Sequence, residues 1–312
     1  MRGIELIEPT ELYNLLNQLH QSVPCVVNEY YLVLFDPRKP DDFHESHVVT
    51  SKHIKRKDDK YIVPTNIDYS AVKNLVVIDS RCSSLKDIQS PAVGLAELLW
   101  KMGSKYPVKV VKGGYEEFSA LYPFLRTQKM LWTQGEIEAL FTYPIEVLPG
   151  FLYIGLRKQA GEPKIEKDLK IKAHVNLTST EDPVFKLEDR IHGKNRDLIS
   201  QLLNVPVEDS IHADLFSQFS TCCSFIQQHH KGDGKTLLVY SELGISRCVT
   251  VALSYLIFHH KIPLKDALRQ IKKCHHSVCP NQSFIKDLLK WELDVLGSQI
   301  TVPSELGFLS YE

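Results

Sequence analysis

No apolar run in this 312-residue chain approaches the length needed to cross a bilayer; the longest, residues 249–258, is broken by Ser254. Charge of one sign is missing as well. The 37 Lys and Arg oppose 38 Asp and Glu, a net charge of -1, which argues against a nucleic-acid partner. The seven cysteines form an odd set with neither zinc-ribbon nor disulfide-framework spacing, so a reducing compartment is expected. The opening residues, MRGIE, have neither the apolar centre of a signal peptide nor the arginine-rich look of a transit peptide, and a cytoplasmic location is expected. Internal repeats and low-complexity tracts are also absent. What is present, 43% hydrophobic and 24% charged residues, is ordinary globular usage and excludes a largely disordered chain. The length predicts two domains.

The first half alternates strand-like and helix-like segments. Residues 10–19 carry Leu12, Leu15, Leu16 and Leu19 at helical spacing, with Thr10 as the expected N-cap. YLVLF (31–35) and LVVI (75–78) are short continuous apolar runs, the pattern of parallel strands buried on both faces. A helix over 92–102, a strand over 108–111 and a helix over 115–121 complete an α/β pattern. A polar stretch, 126–142, reads as a connection with some helix around 136–140. The second half opens on a hairpin pattern over 145–155. Strands are expected at 173–177, 205–207 and 236–240, and helices at 214–230, 245–259, 263–274 and 282–296, with Pro263 in the first helical position.

The informative segment is TLLVYSELGISRC, residues 236–248: an apolar strand, a short loop containing Gly244, then at once a long apolar helix. Such a turn gathers backbone N–H groups into an anion-binding nest, with the helix N-terminus adding positive potential. Arg247 offers a planar fork suited to two phosphate oxygens. The stretch resembles the active-site loop of dual-specificity protein phosphatases, H-C-x-x-G-x-x-R-[ST], with Gly244, Ser246 and Arg247 in place. LPGFLYIG (148–155), NVPVEDS (204–210) and CPNQSF (279–284) extend the resemblance over residues 144–297. In that family the cysteine thiolate attacks phosphorus, the arginine grips the phosphoryl oxygens and an aspartate serves as general acid. The resemblance assigns phosphate binding to Ser241, Glu242, Leu243, Gly244, Ile245, Ser246 and Arg247, and the general-acid position to Asp209.

Three departures decide the chemistry. Tyr240 replaces the histidine, Ser241 the cysteine, and Cys248 the terminal hydroxyl residue. A thiol ionises readily at a helix N-terminus, whereas a serine hydroxyl needs a positioned base, and no histidine adjoins Ser241. No functional catalytic residue is therefore expected. The nest and Arg247 do not depend on the nucleophile, so binding can outlast turnover.

Residues 30–125 resemble the rhodanese-like domain that precedes the catalytic domain of MAP kinase phosphatases, through LFDPRKPDDFHESHV (34–48), LVVIDS (75–80) and KVVKGGYEEFSALYP (109–123). Asp79 and Ser80 stand where an active rhodanese has its cysteine, Cys82 is displaced, and sulfurtransferase activity is not expected. Lys52, Lys55, Arg56 and Lys57 fall where those phosphatases carry a basic docking site for the kinase, although Asp58 and Asp59 follow at once, and a solvated charged loop is the alternative.

The full expectation is α/β in two domains: a rhodanese-like sandwich over 1–126, a linker over 127–143, a phosphatase-like central sheet flanked by helices over 144–297, and a tail over 298–312. The resemblance as a whole is to pseudophosphatases of the MAP kinase phosphatase type. It implies phosphorylated or signalling proteins as partners, MAP kinases among them, with no cofactor, metal, nucleic acid or membrane. Two alternatives stand beside it: a weak phosphatase working through Cys248, and a scaffold whose loop is occluded by Tyr240 and Leu243. Cys274-His275-His276 with Cys279 lacks a second ligand pair for zinc, and His229, His230, His259 and His260 sit near helix ends as expected caps.

Overall fold

The continuous apolar runs become parallel strands buried on both faces, and they assemble two separate sheets. The structure, a computed structural model, describes residues 3–58, 60–87, 89–131, 133–179, 201–230 and 236–307. The chain divides into two units, Met1–Thr142 and Tyr143–Glu312.

In the first unit, β1 (Ile4–Ile7), β2 (Leu32–Asp36), β3 (Lys52–His53), β4 (Asn74–Val77) and β5 (Val108–Val111) form one sheet. The spatial order is β1-β5-β4-β2-β3 and every pairing is parallel. The helices are α1 (Pro9–Leu16), α2 (Pro40–Glu45), α3 (Pro91–Lys101), α4 (Gly114–Leu121) and α5 (Gln134–Glu138). Leu95, Ala96 and Leu99 of α3 pack on Val33, Val77 and Val108 of the sheet, all buried.

Helix α1 begins at Pro9 with Glu8 at the N-cap, not Thr10. Proline's fixed φ suits a first helical position, and Thr10, inside the first turn, hydrogen bonds Tyr122 Oη at 2.9 Å instead. The expected linker is tied into this unit: Arg126–Thr127 pairs antiparallel with His47–Val48, and Thr133 caps α5 by accepting from Glu136 N at 3.3 Å.

In the second unit, β6 (Ile145–Leu148), β7 (Leu152–Leu156), β8 (Ile171–Asn176), β9 (Gln201–Asn204) and β10 (Thr236–Ser241) lie in the order β6-β7-β10-β8-β9. Only the β6–β7 hairpin is antiparallel. Helices α6 (Arg157–Ala160) and α7 (Pro163–Leu169) precede β8; α8 (Phe216–His230), α9 (Arg247–His260), α10 (Leu264–Cys274) and α11 (Gln282–Leu296) follow. Helix α9 is buried from Arg247 to Ile257, which is why its sequence lacks a polar stripe.

The strand expected at 205–207 forms earlier, at Gln201–Asn204. It is an edge strand with exposed Gln201 and Asn204, so it has no continuous apolar run to reveal it. Pro263 is the N-cap of α10, with extended ψ of 153°, and not its first helical residue. The expected tail is partly anchored: the buried Glu292 carboxylate of α11 accepts from Ile300 N (2.6 Å), Thr301 N (2.7 Å) and Leu264 N (2.9 Å). A short 3-10 helix, Pro303–Leu306, follows. Of the histidine pairs, His229 does meet the Phe225 carbonyl at 2.8 Å, but His230 and His259 reach Tyr255 and Gln227, tying α8 to α9. Among the described residues no helix is long and apolar enough to cross a membrane.

Candidate functional site

The candidate loop leaves the carboxyl end of β10, the central strand, in register with Gly155–Leu156 on one side and Asn176 on the other. Ligands of open α/β sheets collect at such strand ends. Gly244 has φ +69°, and a Cβ there would lie 3.1–3.3 Å from the Gly155–Leu156 backbone, so the loop closes on β7 only because that position is glycine. Its carbonyls are held from behind. Gly244 O accepts from His275 Nε2 (3.1 Å), Ile245 O from Cys279 N (2.9 Å), and Ser246 O from both Thr250 N and Thr250 Oγ1 (2.9 Å each). Among the described residues, no backbone N–H from Glu242 to Ser246 is hydrogen bonded. Five successive donors next to a helix N-terminus are of the kind that can hold an anion.

Arg247 is buried, and its Nη1 donates to Leu177 O and Val207 O, each at 2.8 Å. Those bonds fix the plane of the guanidinium. Its Nε is buried without a hydrogen-bond partner among the described residues and lies 3.7 Å from Asp209 Oδ2. An unpaired buried guanidinium N–H is costly, on the order of 1–3 kcal/mol, and an anion seated on the Nε edge removes that cost. Asp209 accepts from Ser246 Oγ (2.9 Å) and from Asn281 Nδ2 (2.9 Å), which ties this carboxylate to the loop. At the rim Glu242 pairs with Arg157 at 3.2 Å, offsetting one negative charge beside the nest.

Ser241 is buried at the end of β10, and its hydroxyl hydrogen bonds the Cys248 thiol. Burial pushes that thiol up to about 11, against the lowering expected at a helix N-terminus, so Cys248 is a protonated, enclosed thiol near neutral pH. Tyr240 is fully buried beneath the loop, edge-on to the His174 ring at 6.1 Å, and Leu243 is 66% exposed.

Sequence reasoning missed His275, Cys279 and the carbonyls of Leu177 and Val207. Three of these four act through the backbone, which leaves no trace in residue type. Asn281 was legible only as part of CPNQSF. Of the zinc-like group, His275 Nε2 serves Gly244 O, and among the described residues no three His, Cys, Asp or Glu are placed to hold a metal. In the first unit Lys52 lies on β3, while Lys55, Arg56 and Lys57 form one strand of an exposed hairpin with Lys60–Ile62. Asp59 lies outside the described residues. Asp79 is buried and organises its own loop, accepting from Arg81 N, Cys82 N, Ser90 Oγ and Ala92 N. The displaced Cys82 is buried, which raises its thiol.

Residues 152–294 match the family described as dual specificity phosphatase, catalytic domain. Human dual specificity protein phosphatase 5 is 30% identical over 248 residues, 72% of this chain and 61% of the relative. Chicken (Gallus gallus) dual specificity protein phosphatase 4 is 28% identical over 251 residues, 75% of this chain and 63% of the relative. The chain thus spans under two thirds of these relatives' length. A crystal structure of the human tyrosine phosphatase-like serine/threonine/tyrosine-interacting protein is 19% identical, covering 49% of this chain and 98% of that one, with a TM-score of 0.40. The second unit carries a dual-specificity phosphatase-family domain.

Burial holds the His275 imidazole below its ordinary value of 6.5, and the bond to Gly244 O only partly offsets this. The unfolded chain therefore binds a proton more readily than the folded one. Stability from this group is complete above pH 6.5 and declines as pH falls toward the folded-state value. His275→Gln is expected to flatten the loss of stability between pH 7 and about pH 5 in urea melts, leaving the share from His230 and His259, which are also lowered. Parallel slopes for the natural protein and the variant would refute the assignment.

Proposed function

We propose that the protein is a catalytically silent relative of the dual-specificity phosphatases, acting in the cytoplasm by binding phosphorylated signalling proteins. The observation that carries this is one juxtaposition. Five unbonded N–H groups and the unpartnered Nε of Arg247 follow directly on a strand end that carries Ser241, with no histidine adjoining it in the chain. Losing the nucleophile of a hydrolase costs on the order of a million-fold in turnover, while N–H donors and guanidinium keep their affinity for phosphate. The buried, protonated Cys248 speaks against the weak-phosphatase reading. The burial of Tyr240 and the exposure of Leu243 speak against an occluded loop. The rhodanese-like first unit, with Asp79 and Ser80 at the nucleophile position, is a protein-binding module, and Lys52, Lys55, Arg56 and Lys57 dock acidic partners such as MAP kinases. Residue order and both degenerate loops resemble the MAP kinase phosphatase-like STYX pseudophosphatases.

The test is a calorimetric titration with a peptide phosphorylated on Thr and Tyr, followed by analysis for released phosphate. Binding without release is expected. Arg247→Met should weaken binding by roughly 10- to 100-fold, the worth of a charge-assisted fork. Equal affinity in a folded Arg247→Met variant would exclude the cradle and move recognition to the outer surfaces of either unit.

A further inference from the structure

The two oxygens of Asp209 are used unequally. Its Oδ1 accepts from both Ser246 Oγ and Asn281 Nδ2, each at 2.9 Å. Its Oδ2 accepts no hydrogen bond among the described residues and lies 3.7 Å from Arg247 Nε, the buried N–H that also lacks one. Both groups are anchored. Asn281 Nδ2 also reaches Ser210 O at 3.3 Å, and Asn281 Oδ1 caps α11 by accepting from Phe284 N at 2.9 Å. Arg247 Nη1 is held by Leu177 O and Val207 O. Carboxylate and guanidinium cannot draw apart without breaking these bonds.

A phosphate monoester that takes the Nε hydrogen bond, about 2.8 Å long for a charged pair, comes in beside a carboxylate oxygen 3.7 Å from the same nitrogen. Two oxyanions around a single N–H repel, and a proton held between them turns the repulsion into a hydrogen bond. The phosphate offers a place for that proton, because its second ionisation falls near about pH 6 and roughly a tenth of it is still protonated at about pH 7. A sulfate monoester has no proton to share in this range and meets the carboxylate as a bare anion. On the segments that meet here the other charged or titratable groups are Glu208, His212 and Cys279, all exposed, Glu242, paired with Arg157, and His275, bonded to Gly244 O. Of the three acids only Asp209 pairs with Arg247.

We propose that the loop takes up a phosphate monoester together with one proton, shared between a phosphoryl oxygen and Asp209 Oδ2, and so selects phosphate over sulfate monoesters. This rests on the reading of the loop as a phosphate seat and adds the form in which the ligand is held. The proton comes from solvent and returns there on release, and no bond to phosphorus forms or breaks. Asp209 is then an acceptor toward the bound ester, and its own charge sets the selectivity.

The probes are a peptide carrying one phosphotyrosine and the same peptide carrying sulfotyrosine. Each is titrated by calorimetry into the full chain between about pH 6.5 and 8, in buffers of different ionisation enthalpy. The natural protein should take up about one proton per phosphopeptide, and its affinity should fall about 10-fold for each unit of pH above the ligand's own ionisation. The sulfated peptide should bind at least ~10-fold more weakly. Asp209→Asn, which keeps an acceptor oxygen for Ser246 and Asn281, should abolish the proton uptake. It should also tighten phosphopeptide binding about 10-fold at the upper end of the range and bring the two peptides within about 3-fold of each other. Phosphopeptide binding by the natural protein without proton uptake, equal affinity for the two peptides, or undiminished uptake in Asp209→Asn would each overturn the shared proton while leaving phosphate binding in place. Failure of the natural protein to bind the phosphopeptide, or equal affinity in Arg247→Met, would remove the seat itself and the shared proton with it.

Discussion

The triple substitution Tyr240→His, Ser241→Cys and Cys248→Ser is expected to turn p-nitrophenyl phosphate over at least ~10³-fold faster than the natural protein, against the roughly million-fold that a nucleophile is worth. Each change has its own reason. A cysteine at 241 would sit at the end of β10 beside the free N–H groups of the nest and the start of α9, where a thiolate is stabilised. A serine at 248 would return a hydroxyl to the spot that now holds a buried thiol, leaving the hydrogen bond between the two positions in place with donor and acceptor exchanged. Histidine at 240 restores an imidazole where a phenol ring now packs on His174. An aryl phosphate is the right substrate because its leaving group needs little help from an acid, and Asp209 is tied to Ser246 and Asn281. If the variant folds, binds phosphate and releases no p-nitrophenolate beyond the natural level, then the N–H groups do not converge where the sulfur would be.

The largest effect on stability is expected at Glu292. Its carboxylate is fully buried and accepts three backbone N–H groups, at the start of α10 and in the segment after α11. Glu292→Ala strands all three donors, and a loss of about 3–5 kcal/mol is expected, which in a unit of this size lowers Tm by on the order of 10 °C. Glu292→Gln keeps one acceptor oxygen and should lose markedly less. Scanning calorimetry decides the matter: a drop below about 1 kcal/mol for Glu292→Ala would mean that water replaces the carboxylate and that residues 300–306 are not anchored.

Glu292 also marks where sequence reading stops. The buried parallel strands were legible because burial on both faces writes itself as YLVLF or LVVI. The edge strand Gln201–Asn204 was not, because an edge exposes part of its pattern. A glutamate inside a helix near a presumed tail carries no mark of burial, since its partners are N–H groups that every residue possesses. The loop divides in the same way. Gly244 and Arg247 could be read from residue type and spacing, whereas the carbonyls that fix the guanidinium plane, Leu177 O and Val207 O, could not. Cys248 shows the limit of a local rule. Helix position alone predicts a lowered thiol, and enclosure in the core outweighs it.

The contact between Ser241 and Cys248 has a chemical corollary. One oxygen and one sulfur still meet at this spot, in seats reversed from the family's arrangement, with the oxygen at the strand end and the sulfur walled in. Peroxide attacks exposed thiolates, and the enclosed thiol of Cys248 is shielded from it. A thiolate phosphatase falls silent when its cysteine is oxidised; the binding proposed here uses N–H groups and Arg247 and needs no thiolate.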